Sequence, residues 1–283
     1  MIFRIAILMT VHNRKDITLN CLDHLFQSDL QGFDICVYLV DDGCTDGTGD
    51  AVKHLYPEVR IIKGNGNLYW NHGMLLAWKE ALKSKQDFFL WLNDDTFIFP
   101  NAIKLALDSY LSVEPLSIIS GSTCSEKTSV GTTFGGLKNK RILHPNGELQ
   151  ILDQFWGNFV LVPQCVVERI GILDSRFKHY FGDTEYSMRA GANGVSMYLA
   201  PEYVGVCEVN CSKPKCFDES YGIIERWRAM HTPLGKSLSD TFYLYSKYNG
   251  RLYASLLCLD SFLRMIFPTK WLVFKQHLKK LVN

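Results

Sequence analysis

The chain has 283 residues, of which 47% are hydrophobic and 21% are charged, and its formal net charge is +1. That length and composition are typical of a globular protein, built as one large domain or as one domain with an appendage. The near-neutral charge argues against a general nucleic-acid binder. The nine cysteines are odd in number and scattered, which favours a reducing, cytoplasmic compartment over a disulfide framework.

Strands and helices alternate over residues 1–120. An apolar run over residues 2–9 predicts a buried strand, and Asp16 follows it where it can cap a helix. Further strands are predicted at 33–40, 59–62, 87–92 and 117–120, and further helices from about Thr48, after Asn67 and over 101–112. This alternation predicts an α/β fold with a doubly wound, mostly parallel sheet flanked by helices.

The rest of the chain is less regular. Residues 121–155 are rich in Gly, Ser, Thr and Lys and fit a loop-and-hairpin insertion. Strands at 158–162 and 195–199 and a short helix at 164–170 are predicted next, and from about residue 220 the pattern becomes helical. We therefore expect a C-terminal helical extension after the α/β region.

Two acidic pairs, Asp41-Asp42 and Asp94-Asp95, directly follow apolar runs that predict strands. Ligands of open α/β sheets bind at the carboxyl ends of the strands, so both pairs are expected on one rim. Carboxylates gathered there repel one another unless a cation joins them, and a divalent metal carrying a phosphorylated substrate suits that role. Turn formation and helix capping are the alternatives for the first pair, as are hydrogen bonds to a nucleotide base or ribose. A solvated turn is the alternative for the second.

Asp183 lies among aromatic residues in the segment 179–189. One interpretation is structural, with Asp183 capping a helix over 184–192 or pairing with Arg189. The other is a general base whose pKa is raised by desolvation between apolar neighbours.

Six short motifs follow one another along the chain. They are TVHNR at 10–14, VDDGCTD at 40–46, GNLYWNHG at 66–73, WLNDDT at 91–96, WGNF at 156–159 and YFGDTE at 180–185. In this order they resemble glycosyltransferase family 2, which has the GT-A fold. Within the family they are most similar to rhamnosyltransferase-like and related enzymes of bacterial surface polysaccharide synthesis.

The resemblance implies a GT-A catalytic domain over 1–215, followed by a helical extension over 216–283. The nucleotide-binding half would cover about 1–120 and the acceptor half about 121–215. By the same resemblance, Thr10 and Asp42 contact the nucleotide base with Asp41 beside them. The other residues expected to bind the nucleotide sugar are His12, Asn13, Arg14, Asn67, Asn71, Gly73, Asp94 and Trp156.

The chemistry implied by the resemblance is transfer of a sugar from a nucleoside diphosphate to a hydroxyl of a glycan or lipid-linked acceptor. Asp94 and Asp95 match the metal-and-ribose motif, and Asp95 is the expected ligand of Mn²⁺ or Mg²⁺. Asp183 matches the catalytic base. With one base and direct attack from the opposite face, the anomeric centre inverts.

Two positions depart from the family pattern. Gly182 stands where many members have Glu, so one carboxylate fewer precedes the expected base. After the last core strand, where many members have a His, this chain has Cys207 and Glu208. Either residue could take the place of that His.

Two other functions are weighed against this one. A nucleotidyltransferase on a similar sheet requires a glycine-rich phosphate loop after the first strand, and residues 10–14 contain no glycine. A sugar-nucleotide-binding scaffold with a decayed site is disfavoured because all three acidic elements are retained.

The C-terminal segment 264–283 contains five Lys/Arg, several aromatics and no Asp or Glu. It is expected either to lie on the anionic inner face of the cell membrane or to pack on the catalytic domain with a solvated basic side. No stretch of the sequence is long and uncharged enough to span a bilayer. The helical region 220–283 could equally mediate self-association, for example as a dimer.

Overall fold

A computed structural model describes residues 2–127, 131–209 and 213–282, with side chains as far as His277. The strands are β1 Phe3–Val11, β2 Phe33–Asp41, β3 Arg60–Lys63, β4 Phe88–Leu92, β5 Phe97–Ile98, β6 Ser117–Cys124, β7 Thr132–Phe134, β8 Gly136–Lys138, β9 Arg141–Ile142, β10 Gln150–Ile151, β11 Gln154–Phe155, β12 Phe159–Pro163 and β13 Ser196–Val206. The helices are α1 Lys15–Phe26, α2 Thr48–Leu55, α3 Tyr69–Ala81, α4 Ala102–Leu111, α5 Gln164–Ile170, α6 Gly182–Ala192, α7 Ile223–Met230, α8 Leu238–Asn249, α9 Arg251–Ile266 and α10 Pro268–Val282.

Most of the strands join one large sheet, in which β10, β13, β6, β12, β4, β1, β2 and β3 follow one another from edge to edge. β1 runs parallel to both β2 and β4, β2 runs parallel to β3, and β13 runs parallel to β6. β12 is antiparallel to its neighbours β4 and β6. The expected α/β fold with a mostly parallel sheet is confirmed.

Both faces of this sheet are buried, which explains why its central strands are apolar throughout. Successive side chains of a strand point to opposite faces. Ile7 of β1 packs with Leu22 of α1 on one face, whereas Leu8 packs with Trp78 of α3 and Tyr186 of α6 on the other. Helices therefore cover the sheet from both sides.

Two boundaries differ from the sequence prediction. β13 continues to Val206, whereas a strand over 195–199 is predicted, because Pro201 and Glu202 interrupt the apolar pattern at an irregularity in the pairing with β6. Asp16 lies in the first turn of α1 and does not cap it; Arg14 precedes the helix. The predicted cap is therefore wrong.

The irregular segment 121–155 begins inside the sheet, because β6 extends to Cys124. Beyond it, β8, β9 and β11 form a small antiparallel sheet of their own. The insertion is thus built from short strands, in line with the predicted hairpins.

The described residues fall into two compact units, Met1–Ser175 with Gly182–Val209, and Arg176–Phe181 with Asn210–Asn283. The first unit contains the large sheet. In the second, residues of α7, α8 and α9 pack around a small core that includes Cys216, Met230 and Met265, and α10 hydrogen-bonds to α9. No helix of the described chain combines the length and the apolar character needed to cross a bilayer.

Candidate active site

The acidic pairs follow strands that are neighbours in the sheet. β1 pairs in register with β2 up to Val11 opposite Asp41, and β4 lies on the other side of β1. Asp94 comes two residues after β4 ends at Leu92. The carboxyl ends of β2, β1 and β4 therefore bring both pairs to one edge, as the sequence predicts.

Asp42 uses its carboxylate to hold the loop that leads into α3. Its Oδ1 accepts a hydrogen bond from the N–H of Gly66 (2.7 Å), and its Oδ2 accepts from the N–H groups of Leu68 (2.8 Å) and Tyr69 (3.1 Å). The side chain is buried. Asp42 thus fixes the backbone of the motif 66–73, which is a structural task beside its expected contact with the base.

Asp41 is also fully engaged within the chain. Its Oδ2 lies 2.6 Å from Lys63 Nζ, and its Oδ1 accepts from the N–H of Cys44 (2.9 Å). Burial raises the pKa of Asp41, but the Lys63 and Cys44 hydrogen bonds outweigh it and leave the pKa below its ordinary value. Asp41 is therefore ionised at neutral pH.

The segment after β1 turns sharply towards these acids. His12 Nδ1 lies 2.6 Å from the carbonyl oxygen of Asp42, and the N–H of Thr45 donates to Asn13 Oδ1 at 2.7 Å. Asn13 has a φ of 52°, in the left-handed region that Asn tolerates better than most residues. The turn directs the next residue, Arg14, towards the second acidic pair.

Arg14 bridges Asp94 and Asp95. Its Nη1 lies 3.1 Å from Asp94 Oδ1 and its Nη2 lies 2.9 Å from Asp95 Oδ2. The two remaining carboxylate oxygens also have partners, since Thr18 Oγ1 donates to Asp94 Oδ2 (3.5 Å) and Cys207 Sγ donates to Asp95 Oδ1 (3.7 Å). Every oxygen of the pair therefore already accepts a hydrogen bond from this chain.

The two carboxylates differ in their surroundings. Burial and the neighbouring Asp95 raise the pKa of Asp94 to about 7, against the opposing effect of Arg14. The side chain of Asp94 is 7% exposed, whereas that of Asp95 keeps 31% of its surface open to solvent. Asp95 is therefore the member of the pair that a ligand can reach.

Cys207 occupies the place beside the acidic pair where a His was expected. Its buried thiol has a pKa raised to about 12, chiefly by desolvation and by Asp95, so it is a neutral donor. Glu208 turns away, since it accepts from Ser125 Oγ (2.6 Å) and from the N–H of Glu126. Of the two candidate substitutes, Cys207 is the one that contacts Asp95.

Asp94 and Asp95 fit a divalent cation that shares its coordination with a substrate. Mg²⁺ and Mn²⁺ prefer oxygen ligands, and Mg²⁺ is commonly bound by one or two carboxylates together with substrate phosphates. The described residues contain no group of three His, Cys, Asp or Glu close enough to enclose a metal by themselves. Among the described residues, the pair therefore offers carboxylates to such an ion but does not enclose it.

The first turn of α3 joins three parts of the site. Trp70 Nε1 donates to Asn93 Oδ1 (2.7 Å), next to the acidic pair, and Asn71 Nδ2 donates to the carbonyl of Asp174 (2.9 Å). A Cβ at Gly73 would lie only 2.0 Å from Thr10 Oγ1. The small residue at 73 therefore allows α3 to approach the end of β1.

Asp183 lies in the first turn of α6, and its carboxylate is held by backbone donors. The N–H of Thr184 donates to its Oδ1 (2.7 Å) and the N–H of Gly157 to its Oδ2 (3.2 Å). Burial raises the pKa of Asp183 despite these hydrogen bonds. Arg189 pairs instead with Glu185 at 2.8 Å, so the predicted alternative of an Asp183–Arg189 pair is wrong.

The absence of a side chain at position 182 has a steric reason. A Cβ at Gly182 would lie 1.9 Å from Asn71 Oδ1, so a Glu here would require Asn71 to move. The departure at Gly182 is thus coupled to the contact of Asn71 with the start of α6.

Two expected residues lie at the periphery of these contacts. Trp156 packs edge-on against Phe134 of β7, with ring centroids 6.0 Å apart. Asn67 is exposed in the loop before α3, where its N–H donates to Asn65 Oδ1. Their roles towards a donor sugar stay predictions.

Three residues of the site were not singled out from the sequence. Lys63 pairs with Asp41, Trp70 holds Asn93, and Gly157 contributes an N–H to Asp183. A Cβ at Gly157 would lie 2.5 Å from the Trp70 ring, so these two are in direct contact. Lys63 lies opposite Asp41 in the parallel pairing of β2 and β3, a register that the sequence pattern does not specify.

Solved structures with a similar fold bind sugar nucleotides. The mannosyltransferase PcManGT from Pyrobaculum calidifontis, in complex with GDP-Man and Mn²⁺, aligns over 99% of this chain and 81% of its own at 14% identity, with a TM-score of 0.56. TarS 1–349 from S. aureus, in complex with UDP-GlcNAc, aligns over 93% and 81% at 11% identity, with a TM-score of 0.55. At these identities the likeness concerns the fold.

The sequence comparisons address the family directly. No curated protein matches the chain. The model of glycosyl transferase family 2 matches residues 6–177, which is more than half of the chain and includes the two acidic pairs and the motif at 156–159. The chain therefore belongs to glycosyl transferase family 2.

Proposed function

We propose that this protein is a metal-dependent, inverting glycosyltransferase that moves a sugar from a nucleoside diphosphate to a hydroxyl of a glycan or lipid-linked acceptor. The observation that carries the proposal is a continuous set of contacts along one edge of the sheet. Asp183 binds Gly157, Gly157 touches Trp70, and Trp70 binds Asn93, which precedes Asp94 and Asp95. A carboxylate able to act as a base and a carboxylate pair able to face a diphosphate thus share one connected site.

Asp183, Asp42 and the acidic pair have separate roles in the proposed reaction. Asp183 takes the proton of the acceptor hydroxyl, and the N–H groups of Gly157 and Thr184 keep its carboxylate aimed while burial keeps its pKa raised. The loop fixed by Asp42 receives the nucleotide. Asp95, with Asp94 beside it, would hold a divalent cation, which when bound would supply positive charge towards the diphosphate leaving group. With one base and one displacement, the anomeric configuration inverts.

The proposed biological setting is bacterial surface polysaccharide synthesis, with a rhamnosyltransferase-like donor preference. The motif pattern supports this branch, and the catalytic role is assigned to the region 1–215. The proposed location is the cytoplasm, at the inner face of the membrane where lipid-linked acceptors reside.

We expect the purified protein to release nucleoside diphosphate slowly from one sugar nucleotide in a panel, with Mn²⁺ or Mg²⁺ present. EDTA should abolish the release, and Asp95→Ala should lower donor affinity at least about tenfold in Mn²⁺ while changing it little in EDTA. Product release is followed by chromatography and donor binding by calorimetry.

Asp108→Asn is the matched control, since Asp108 is an exposed carboxylate paired with Lys104 on α4. It should behave as the wild type in both assays. Release that is unchanged in EDTA would contradict metal dependence, and donor affinity unaltered by Asp95→Ala in Mn²⁺ would remove Asp95 from the site. Binding without turnover, even with candidate acceptors added, would favour a sugar-nucleotide-binding scaffold.

The proposed membrane contact uses the C-terminal helix α10. Within the second unit, Asp260 of α9 accepts hydrogen bonds from Trp271 Nε1 (2.9 Å) and Lys275 Nζ (2.7 Å), which docks α10 on α9. Leu272 and Phe274 remain 43% and 50% exposed. Exposed apolar side chains on a basic helix are typical of segments that lie in an anionic membrane interface.

The double variant Leu272→Ser/Phe274→Ser should bind phosphatidylglycerol vesicles with an affinity at least about tenfold lower than that of the wild type. Each substitution removes apolar side-chain area that would enter the interface. The matched control is Leu55→Ser/Leu111→Ser, which removes two leucines of 56% and 57% exposure from the first unit. Co-sedimentation measures the binding. Equal pelleting of all three proteins would count against the membrane role.

A further inference from the structure

A cation of this chain, the guanidinium of Arg14, already lies against the acidic pair. Arg14 places one guanidinium nitrogen on each carboxylate, at 3.1 Å from Asp94 Oδ1 and 2.9 Å from Asp95 Oδ2. These are the two short contacts of the pair, since Thr18 and Cys207 lie 3.5 and 3.7 Å from the other two oxygens. A metal bridging the same two oxygens would coincide with the guanidinium.

The guanidinium of Arg14 is partly open to solvent. Its side chain is 38% exposed, whereas that of Asp94 is 7% exposed. The chain turns at Asn13 immediately before it, and a long side chain reaches a neighbouring anion by rotation about its own bonds. The guanidinium also binds phosphate oxygens in the same two-pronged manner as carboxylates.

We propose that Arg14 is an exchangeable counter-ion: it neutralises Asp94 and Asp95 in the donor-free protein and turns to the donor diphosphate when a divalent cation takes the carboxylates. This rests on the proposed function, because it assumes a metal and a diphosphate at the acidic pair. It implies that the donor-free protein binds divalent metal weakly, because Arg14 competes for the same carboxylates. Metal and nucleotide then enter together.

The proposal predicts opposite effects of one substitution on two ligands. Arg14→Met removes the competing charge, so the affinity of the donor-free protein for Mn²⁺ should rise about tenfold or more. The same variant lacks the group that meets the diphosphate, so the affinity for UDP or GDP in saturating Mn²⁺ should fall about tenfold. Arg14→Lys keeps one charge without the two-pronged geometry and should lie between the wild type and Arg14→Met on both measures.

Mn²⁺ binding is measured by electron paramagnetic resonance of the free ion, and nucleotide binding by calorimetry. Arg4→Met is the matched control, since Arg4 pairs with Asp87 at 3.4 Å and has the same 38% side-chain exposure, away from the acidic pair. It should leave both affinities unchanged. Neither measurement depends on turnover, so failure of the counter-ion proposal is distinguishable from failure to transfer sugar.

Three results would overturn the proposal. They are equal Mn²⁺ affinity in the wild type and Arg14→Met, no Mn²⁺ binding by either protein, and a loss of both ligands in Arg14→Met, which is the result expected of a purely structural ion pair. If Arg14→Met does not fold, Arg14→Lys decides, since it retains a charge to balance the buried carboxylates.

Discussion

Asp183→Asn should reduce sugar transfer by about 10²–10⁴-fold, the usual contribution of a general base, while leaving donor affinity within about twofold. The substitution keeps the size of the side chain, and its remaining carbonyl oxygen can still accept from the N–H of Thr184. It removes the proton acceptor and, because an amide nitrogen cannot accept, the hydrogen bond from the N–H of Gly157. Transfer is measured at saturating acceptor and donor binding by calorimetry, with Asp108→Asn as the exposed control. Wild-type turnover by Asp183→Asn would exclude Asp183 as the base.

The pH dependence gives a second check on the same residue. A base acts only when ionised, and burial raises the pKa of Asp183, so the turnover number should fall as the pH drops through that raised pKa. The acid limb should therefore lie above ~4, the titration range of an ordinary aspartate. Asp94, with a pKa of about 7, also gains a proton as the pH falls, and under the proposed function this change is expected in donor affinity. A turnover number independent of pH down to the ordinary range would contradict the assignment.

Asp42→Ala should destabilise the protein by about 2–4 kcal/mol and lower donor affinity at least about tenfold. The free energy of unfolding falls because the backbone N–H groups of Gly66, Leu68 and Tyr69 lose their buried acceptor. Each unsatisfied buried group costs about 1–3 kcal/mol unless water reaches it. The loop they belong to then no longer holds its shape for the nucleotide. Urea unfolding measures the stability, and calorimetry the donor affinity.

Asp34→Ala is the control for this prediction. Asp34 lies on the same strand, β2, but is exposed, and its loss should change the free energy of unfolding by less than about 0.5 kcal/mol. Asp42→Asn should fall between the two, because one carbonyl oxygen replaces two acceptors. If Asp42→Ala is as stable as Asp34→Ala, the carboxylate does not support the loop. If it is unstable yet binds donor normally, the loop is not part of the nucleotide site.

The sequence was most informative where acidic residues directly follow predicted strands. Asp41-Asp42 and Asp94-Asp95 follow apolar runs, and apolar runs buried on both faces can be recognised without knowing their neighbours. The order of elements along the chain follows from that pattern, and the edge that carries the acids follows from the carboxyl ends of the parallel strands. The roles of the site residues, in contrast, still await the measurements above.

Contacts that depend on register or on a single backbone angle could not be predicted. Lys63 meets Asp41 only because β3 pairs with β2 in one particular register, and Arg14 reaches Asp94 and Asp95 because Asn13 turns the chain. Cys207 reaches Asp95 because β13 extends beyond its apolar part, past Pro201. Propensity and periodicity describe neighbours along the chain, and these contacts join residues that are distant along it.

The first turn of α3 has a consequence for redirecting this enzyme towards other sugars. Trp70, Asn71 and Gly73 connect the loop at Asn93, the segment at Asp174 and the end of β1 to four consecutive positions of one helix. A substitution in that turn shifts all three parts at once. It therefore disturbs their relative positions, whichever sugar it is meant to admit. Under the proposed function, libraries for new donors are better placed at the exposed positions Asn65 and Asn67 of the loop before α3, where a change leaves these three contacts intact.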